Sequence, residues 1–182
     1  MGTDRITLGS GKLYVTEYTN SVPDPATICV DANRLGYIQG GATLEYKPTK
    51  YTAKDDLGIV TKTILTDEDA TLKTGIMTFN GNVLDKLCET GRVTEDTTNH
   101  KRTVLIGGVG TADRKKYVVC FHHEDPLDGD IWVIIVGNNT NGFSLAFVKD
   151  KETVIDAEFK ALAQDSDGTL IKYIEEDASI TT

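Results

Sequence analysis

The sequence predicts a mainly β, single-domain fold with one short flanking α-helix and a long protruding hairpin. Three observations carry this reading. Apolar residues recur with period two, the most apolar stretches are short runs rich in Val and Ile, and Gly, Asn and Asp separate them. A length of 182 residues suits one domain with its own core.

The first distinctive stretch runs from Gly41 to Phe79. Thr43 to Lys54 and Ile59 to Thr66 are expected to form the arms of a long hairpin (43–66) turning at Asp55-Asp56-Leu57-Gly58, followed by a separate strand from Ala70 to Phe79. The arms are Thr-rich and polar, yet they carry Leu44, Tyr46, Tyr51, Leu57, Ile59, Val60 and Ile64. That is too little apolar surface for a core on both sides and too much for an idle loop. An exposed hairpin edge pairs with other chains unless something covers it, and another subunit is the natural cover.

A helix is expected from Asn82 to Thr90, where Val83, Leu84, Leu87 and Cys88 form one apolar stripe ending at Gly91. Asn80 or Asn82 caps its N-terminus. Strands follow at Thr103–Ile106, Lys115–His122 and Asp130–Val136, the last two continuous enough to be central strands covered on both faces. Asn141-Gly142 predicts a hairpin returning through a strand at Phe143–Val148. In Val154–Ala161, Ile155, Ala157, Phe159 and Ala161 alternate with polar residues, as a strand with one buried face requires. Asp167-Gly168 opens a last strand, Thr169–Ile174.

No apolar run approaches the roughly 20 residues of a membrane helix, and Met1-Gly2-Thr3-Asp4-Arg5 is not followed by an apolar stretch. A soluble chain that stays where it is made, with no membrane partner, is expected. Cys29, Cys88 and Cys120 are far apart in sequence and form no Cys-x-x-Cys pair, so free, mostly buried thiols are expected. The net charge of −9 argues against duplex binding. It is uneven: residues 1–66 are balanced, whereas residues 67–182 carry 21 acidic against 12 basic side chains.

The candidate chemistry is thin. His122-His123-Glu124-Asp125 suggests a metal site, but neighbouring strand residues face opposite ways and His100 is the one further imidazole. Asp125, Asp128 and Asp130 around Gly129 resemble part of a calcium loop without its bidentate Glu, so a hairpin turn is expected. Gly107-Gly108-Val109-Gly110 has no helix after it to make a phosphate loop and reads as a strand end. Asn138-Asn139-Thr140 fits a glycosylation pattern and reads as a turn. No hydrolase, metalloprotease or Cys/His motif is present, so neither catalysis nor a cofactor or metal is expected.

Four segments, Leu8-Gly-Ser-Gly-Lys-Leu-Tyr-Val15, Asn33-Arg-Leu-Gly-Tyr-Ile-Gln-Gly-Gly-Ala-Thr-Leu-Glu-Tyr-Lys-Pro48, Asp55-Asp-Leu-Gly58 and Asn138-Asn-Thr-Asn-Gly-Phe-Ser-Leu-Ala-Phe147, together resemble tail tube (major tail) proteins of bacteriophages and prophages of Gram-positive bacteria. Gly40 to Tyr46 and Lys149 to Thr153 are the most specific parts. The resemblance implies a twisted β-sandwich or barrel whose copies close into hexameric rings, stacked as the hollow tail of a virion assembled in the bacterial host cytoplasm. It implies that the hairpin reaches a neighbouring ring, with Leu44, Tyr46, Pro48, Tyr51, Asp55, Asp56 and Leu57 at that interface, and that Val83, Leu84, Leu87 and Cys88 pack the flanking helix. Residues 1–12 and 176–182 correspond to terminal arms. The implied partners are further copies, a tape measure protein, a tail terminator and baseplate or distal tail proteins, with DNA passing through unbound. An acidic lumen would offer no cations to trap phosphates, and Asp156 and Glu158 are candidates to line it. The inner tube of a contractile particle or secretion system is the related alternative; a ligand-binding β-barrel is a third.

Overall fold

A computed structural model describes residue 7 and residues 9–180. Most of the expected N-terminal arm, 1–6 and 8, and the end of the C-terminal arm, 181–182, lie outside the described residues. The elements in chain order are β1 (Lys12–Glu17), α1 (Pro25–Ile28), β2 (Arg34–Gly36), β3 (Ile38–Lys54), β4 (Thr61–Ile76), α2 (Gly81–Lys86), β5 (Arg92–Asp96), β6 (Lys101–Leu105), β7 (Tyr117–His123), β8 (Ile131–Asn139), β9 (Ile155–Leu162) and β10 (Ile171–Glu175). The chain is mainly β, and its strands pair antiparallel.

The principal sheet has the order β2-β1-β7-β8-β9-β4-β3, with β10 also paired to β8. A strand has two hydrogen-bonding edges, and β7 occupies one edge of β8. Its other edge is therefore shared end to end: Ile131–Ile135 pair with β10, and Val136–Asn139 pair with β9. The sheet forks there into two wings.

β7 and β8 are buried on both faces because each face has its own core. On one side Leu13, Val15, Leu72, Ile76, Val119, Ile135, Ile155 and Phe159 pack with Val83 and Leu87 near α2. On the other, Tyr14, Val118, Cys120, Ile134 and Val136 pack beneath Ile28 of α1, joined by Tyr18, Val22, Cys29 and Trp132. β9 shows the expected alternation, with Ile155, Ala157, Phe159 and Ala161 buried. Gly137, which pairs with Ala161, lets β9 approach: a Cβ there would lie 1.9 Å from the Lys160 carbonyl oxygen. Gly137→Ala is therefore expected to destabilise by at least about 2 kcal/mol in urea unfolding, because backbone and not a pliable side chain must shift.

Several expectations need correction. The strand expected at Ala70–Phe79 is not separate: β4 runs unbroken from Thr61 to Ile76 and is the second hairpin arm itself. Phe143–Val148 is not a strand, and Asn141-Gly142 does not turn a hairpin. Asn138 and Asn139, read as a turn, end β8. The Asn139 side chain fixes the exit, donating to the carbonyls of Leu87 (3.0 Å) and Gly142 (2.7 Å) and accepting from the Glu158 N–H (3.0 Å). β9 already holds that edge of β8, so Phe143 and Leu145 pack against the core instead of pairing.

The helix is shorter than expected, ending at Lys86. Asn80 does cap it, its Oδ1 accepting from the N–H groups of Asn82 (2.9 Å) and Val83 (3.2 Å). Val83 and Leu87 are buried while Leu84 and Cys88 are half-buried, with Cys88 beyond the helix. It is not the one helix: α1 was not anticipated. Nor was β5, which pairs with β6 in a separate two-stranded sheet.

Candidate functional site: the β3–β4 hairpin

β3 and β4 pair from Ile38↔Ile76 to Lys54↔Thr61. β9 supports β4 only along Thr71–Ile76, and no strand pairs with the outer edge of β3 among the described residues. Consequently every residue from Tyr46 to Glu68 is exposed. At a strand rise of about 3.3 Å per residue, the arms 47–54 and 61–68 reach about 25 Å beyond the body. An isolated two-stranded ribbon is marginal in water.

Local bonding gives the ribbon its shape. Gly40 and Gly41, with φ of 80° and 75°, form an irregularity in β3 beside the part of β4 that β9 supports, before the hairpin leaves the body. Thr66 is the extra residue of a second bulge, since Thr49↔Asp67 is followed by Lys50↔Leu65. Its hydroxyl donates to the Thr49 carbonyl at 3.1 Å. At the tip, the Asp55 carboxylate accepts from the Val60 N–H (2.8 Å), and the Asp55 N–H donates to the Val60 carbonyl (3.0 Å). This closed loop displays Leu57, Ile59 and Val60 at 80%, 77% and 68% exposure.

The pleat divides the proposed contact residues. Leu44, Tyr46 and Pro48 share one face, opposite Leu72, Ala70 and Glu68. The Tyr46 hydroxyl donates to the Glu68 carboxylate, which raises the phenol above its ordinary value. Tyr51 lies on the other face, paired with Ile64, so it is not brought together with Leu44 and Tyr46. Asp55, Asp56 and Leu57 lie in the turn.

The second face continues onto β9 as a ladder of alternating charge. Lys47 bridges Glu45 at 2.7 Å; Lys73 reaches Glu45 at 3.4 Å and Glu158 at 3.8 Å; Lys160 bridges Asp69 at 2.9 Å. Hydrogen bonds from Lys47 and then Lys73 hold the Glu45 carboxyl below its ordinary range, and Asp69 raises Lys160. Asp156 and Glu158 do lie on the outward face of β9, but Lys73 and Lys160 interleave with them, so this strip is mixed and not simply acidic. The charged residues of each strand are plain in the sequence; which of them pair across strands follows from the register.

The metal-like motif is used structurally. His122 stacks on Trp132 with ring centroids 5.0 Å apart and bonds Asp130 through Nε2 at 2.8 Å, whereas His123 bonds the Ser10 carbonyl at 2.8 Å. No group of three or more His, Cys, Asp or Glu able to hold a metal occurs among the described residues. Asp125–Asp130 forms the β7–β8 turn, and Gly107–Gly110 leads from β6 into a 3-10 turn.

The His122 bond, then the Asp125 N–H, hold the Asp130 carboxyl below its ordinary value. A depressed folded-state pKa adds stability above the unfolded value of about 4, lost as pH falls through the folded one. Asp130→Asn is therefore expected to flatten the acid limb of a Tm-against-pH profile below about pH 4.

An open cleft of about 510 Å³ is lined by Gln39, Gly75, Lys151, Glu152 and Asp156, and there the Gln39 side chain donates to the Glu152 carboxylate at 2.8 Å. No helix among the described residues is long and apolar enough to cross a membrane. No protein-family model matches the chain, and no curated protein matches it significantly.

Proposed function

We propose that the chain is a bacteriophage tail tube subunit: a structural virion protein that self-assembles into hexameric rings stacked as a hollow conduit for DNA. The observation that supports this best is the hairpin, exposed on both faces from Tyr46 to Glu68 with apolar residues at its tip. Such a ribbon needs a partner surface, and a further copy supplies one at every level of a stack. In this reading Leu44, Tyr46 and Pro48 and the Asp55–Leu57 tip meet the adjacent ring. In this reading the forked antiparallel sheet is the body of the subunit, and its edge strands β2 and β3 are available to neighbouring copies.

DNA passage relies on net charge and not on a special carboxylate row. Six chains of −9 each repel a polyanion over a wide surface, while the Lys73 and Lys160 ion pairs leave few unpaired cations beside Asp156 and Glu158. A tape measure protein inside the tube, with terminator and baseplate proteins at its ends, completes the assembly. Sedimentation velocity over a wide concentration range tests the reading: species far heavier than the 19.8 kDa chain are expected to grow with concentration. A single monomer boundary throughout would contradict it.

A further inference from the structure

We infer that Cys29 and Cys120 form an intramolecular disulfide that staples the α1 segment to the central sheet when the protein meets an oxidant. The two residues are 91 positions apart in sequence, yet their sulfurs lie 3.7 Å apart. Closing to the roughly 2.05 Å of a disulfide asks each sulfur to move less than about 1 Å. The two thiols sit at a meaningful joint. Cys120 is buried in β7, between Tyr14 of β1 and Ile134 of β8, and belongs to the second core. Cys29 ends α1, whose Ile28 closes over that core, and is half-buried where Cys120 is fully buried. Cover and sheet are otherwise joined here by apolar packing of Ile28, Tyr18 and Val22 on the second core.

The pair is asymmetric in the way disulfide formation uses. The hydrogen bond from the Cys120 thiol lowers the Cys29 pKa, opposed by partial burial and aided by a weaker bond from Trp132, while the same contact with Cys29, followed by burial, raises Cys120. Cys29 is thus the attacking group and Cys120 the resolving one. With a peroxide as oxidant, the Cys29 thiolate attacks one peroxide oxygen, the O–O bond breaks, and Cys29 becomes a sulfenic acid as hydroxide leaves. The Cys120 sulfur then attacks the Cys29 sulfur, the S–O bond breaks, and its proton leaves with the oxygen as water. Overall, two thiols and one hydrogen peroxide give one disulfide and two waters. Cys88 lies elsewhere, its thiol against the Leu84 carbonyl at 2.9 Å, and takes no part.

The biological sense of the staple rests on the proposed function: the subunit folds and assembles reduced in cytoplasm, and the bridge forms once the particle is outside. The chemistry itself does not depend on assembly. The test treats the purified full-length chain with hydrogen peroxide, then counts free thiols by maleimide labelling under denaturing conditions and maps peptides by mass. The expected result is a chain without intermolecular cross-links under denaturing conditions, with one labelled thiol, Cys88, a Cys29–Cys120 linked peptide, and a Tm about 5–15 °C above the reduced form, since the bridge closes a long loop. Cys29→Ser is expected to abolish the oxidant-dependent shift, and Cys88→Ser to keep it. Three thiols still free under peroxide, cross-linking between chains instead of within them, or a bridge that leaves Tm unchanged would each overturn the inference. A bridged, stabilised protein that never forms rings would uphold it while refuting the tube reading.

Discussion

Leu87→Asp is expected to leave no stably folded protein. Leu87 is 1% exposed and follows α2, its side chain inside the larger core. Removing a buried Leu costs about 2–5 kcal/mol, and placing a carboxylate there without a partner costs several more. Together these approach the roughly 5–15 kcal/mol that hold a domain of this kind folded. Leu84→Asp, on the same apolar stripe but half-buried, should cost much less, because water reaches the new carboxylate. Circular dichroism melting of both variants checks this. A cooperative, near-native melt of Leu87→Asp would contradict the placement of α2 against the sheet.

Trimming the hairpin is expected to have the opposite outcome: folding intact, assembly lost. Lys47 and Asp69 are register partners, so replacing residues 48–68 by Asn-Gly joins the arms where β4 re-enters the body. Cutting only from Lys47 to Ile59 would strand the arm 61–68 without its partner. The removed residues are exposed on both faces, so Tm should stay within a few degrees of the parent. Polymer should vanish. Normal polymer from the trimmed chain would refute the hairpin's role, and collapse of the monomer would show that the ribbon belongs to the folding core.

Strands β7, β8 and β9 of the central sheet were legible because their signals are local, whereas β1 and β2 were not expected as strands. β9 alternates Ile155, Ala157, Phe159 and Ala161 inward, β7 and β8 are Val- and Ile-rich, and Asn80 marks a helix start. The failures share a cause: competition between distant segments. Phe143–Val148 has the composition of a strand, but β9 occupies the edge of β8 it needs. Asp67-Glu68-Asp69 reads as a break, yet beyond the body a strand has no core face, so polar residues on both sides do not interrupt it. The cover from Tyr18 to Asn33 shows no periodicity because it packs through scattered residues, Tyr18, Val22 and Ile28. Within the hairpin, composition located the exposed apolar residues, but which face each takes follows from register, and Tyr51 turned out to oppose Leu44 and Tyr46. The proximity of Cys29 to Cys120 was invisible for the same reason.

The most direct measurement of the central claim is electron microscopy of the purified, reduced chain at high concentration, in negative stain. The parent chain is expected to form six-fold rings and stacked hollow tubes, and the trimmed chain neither. Particles of monomer size alone, at concentrations where sedimentation is also monomeric, would contradict that claim.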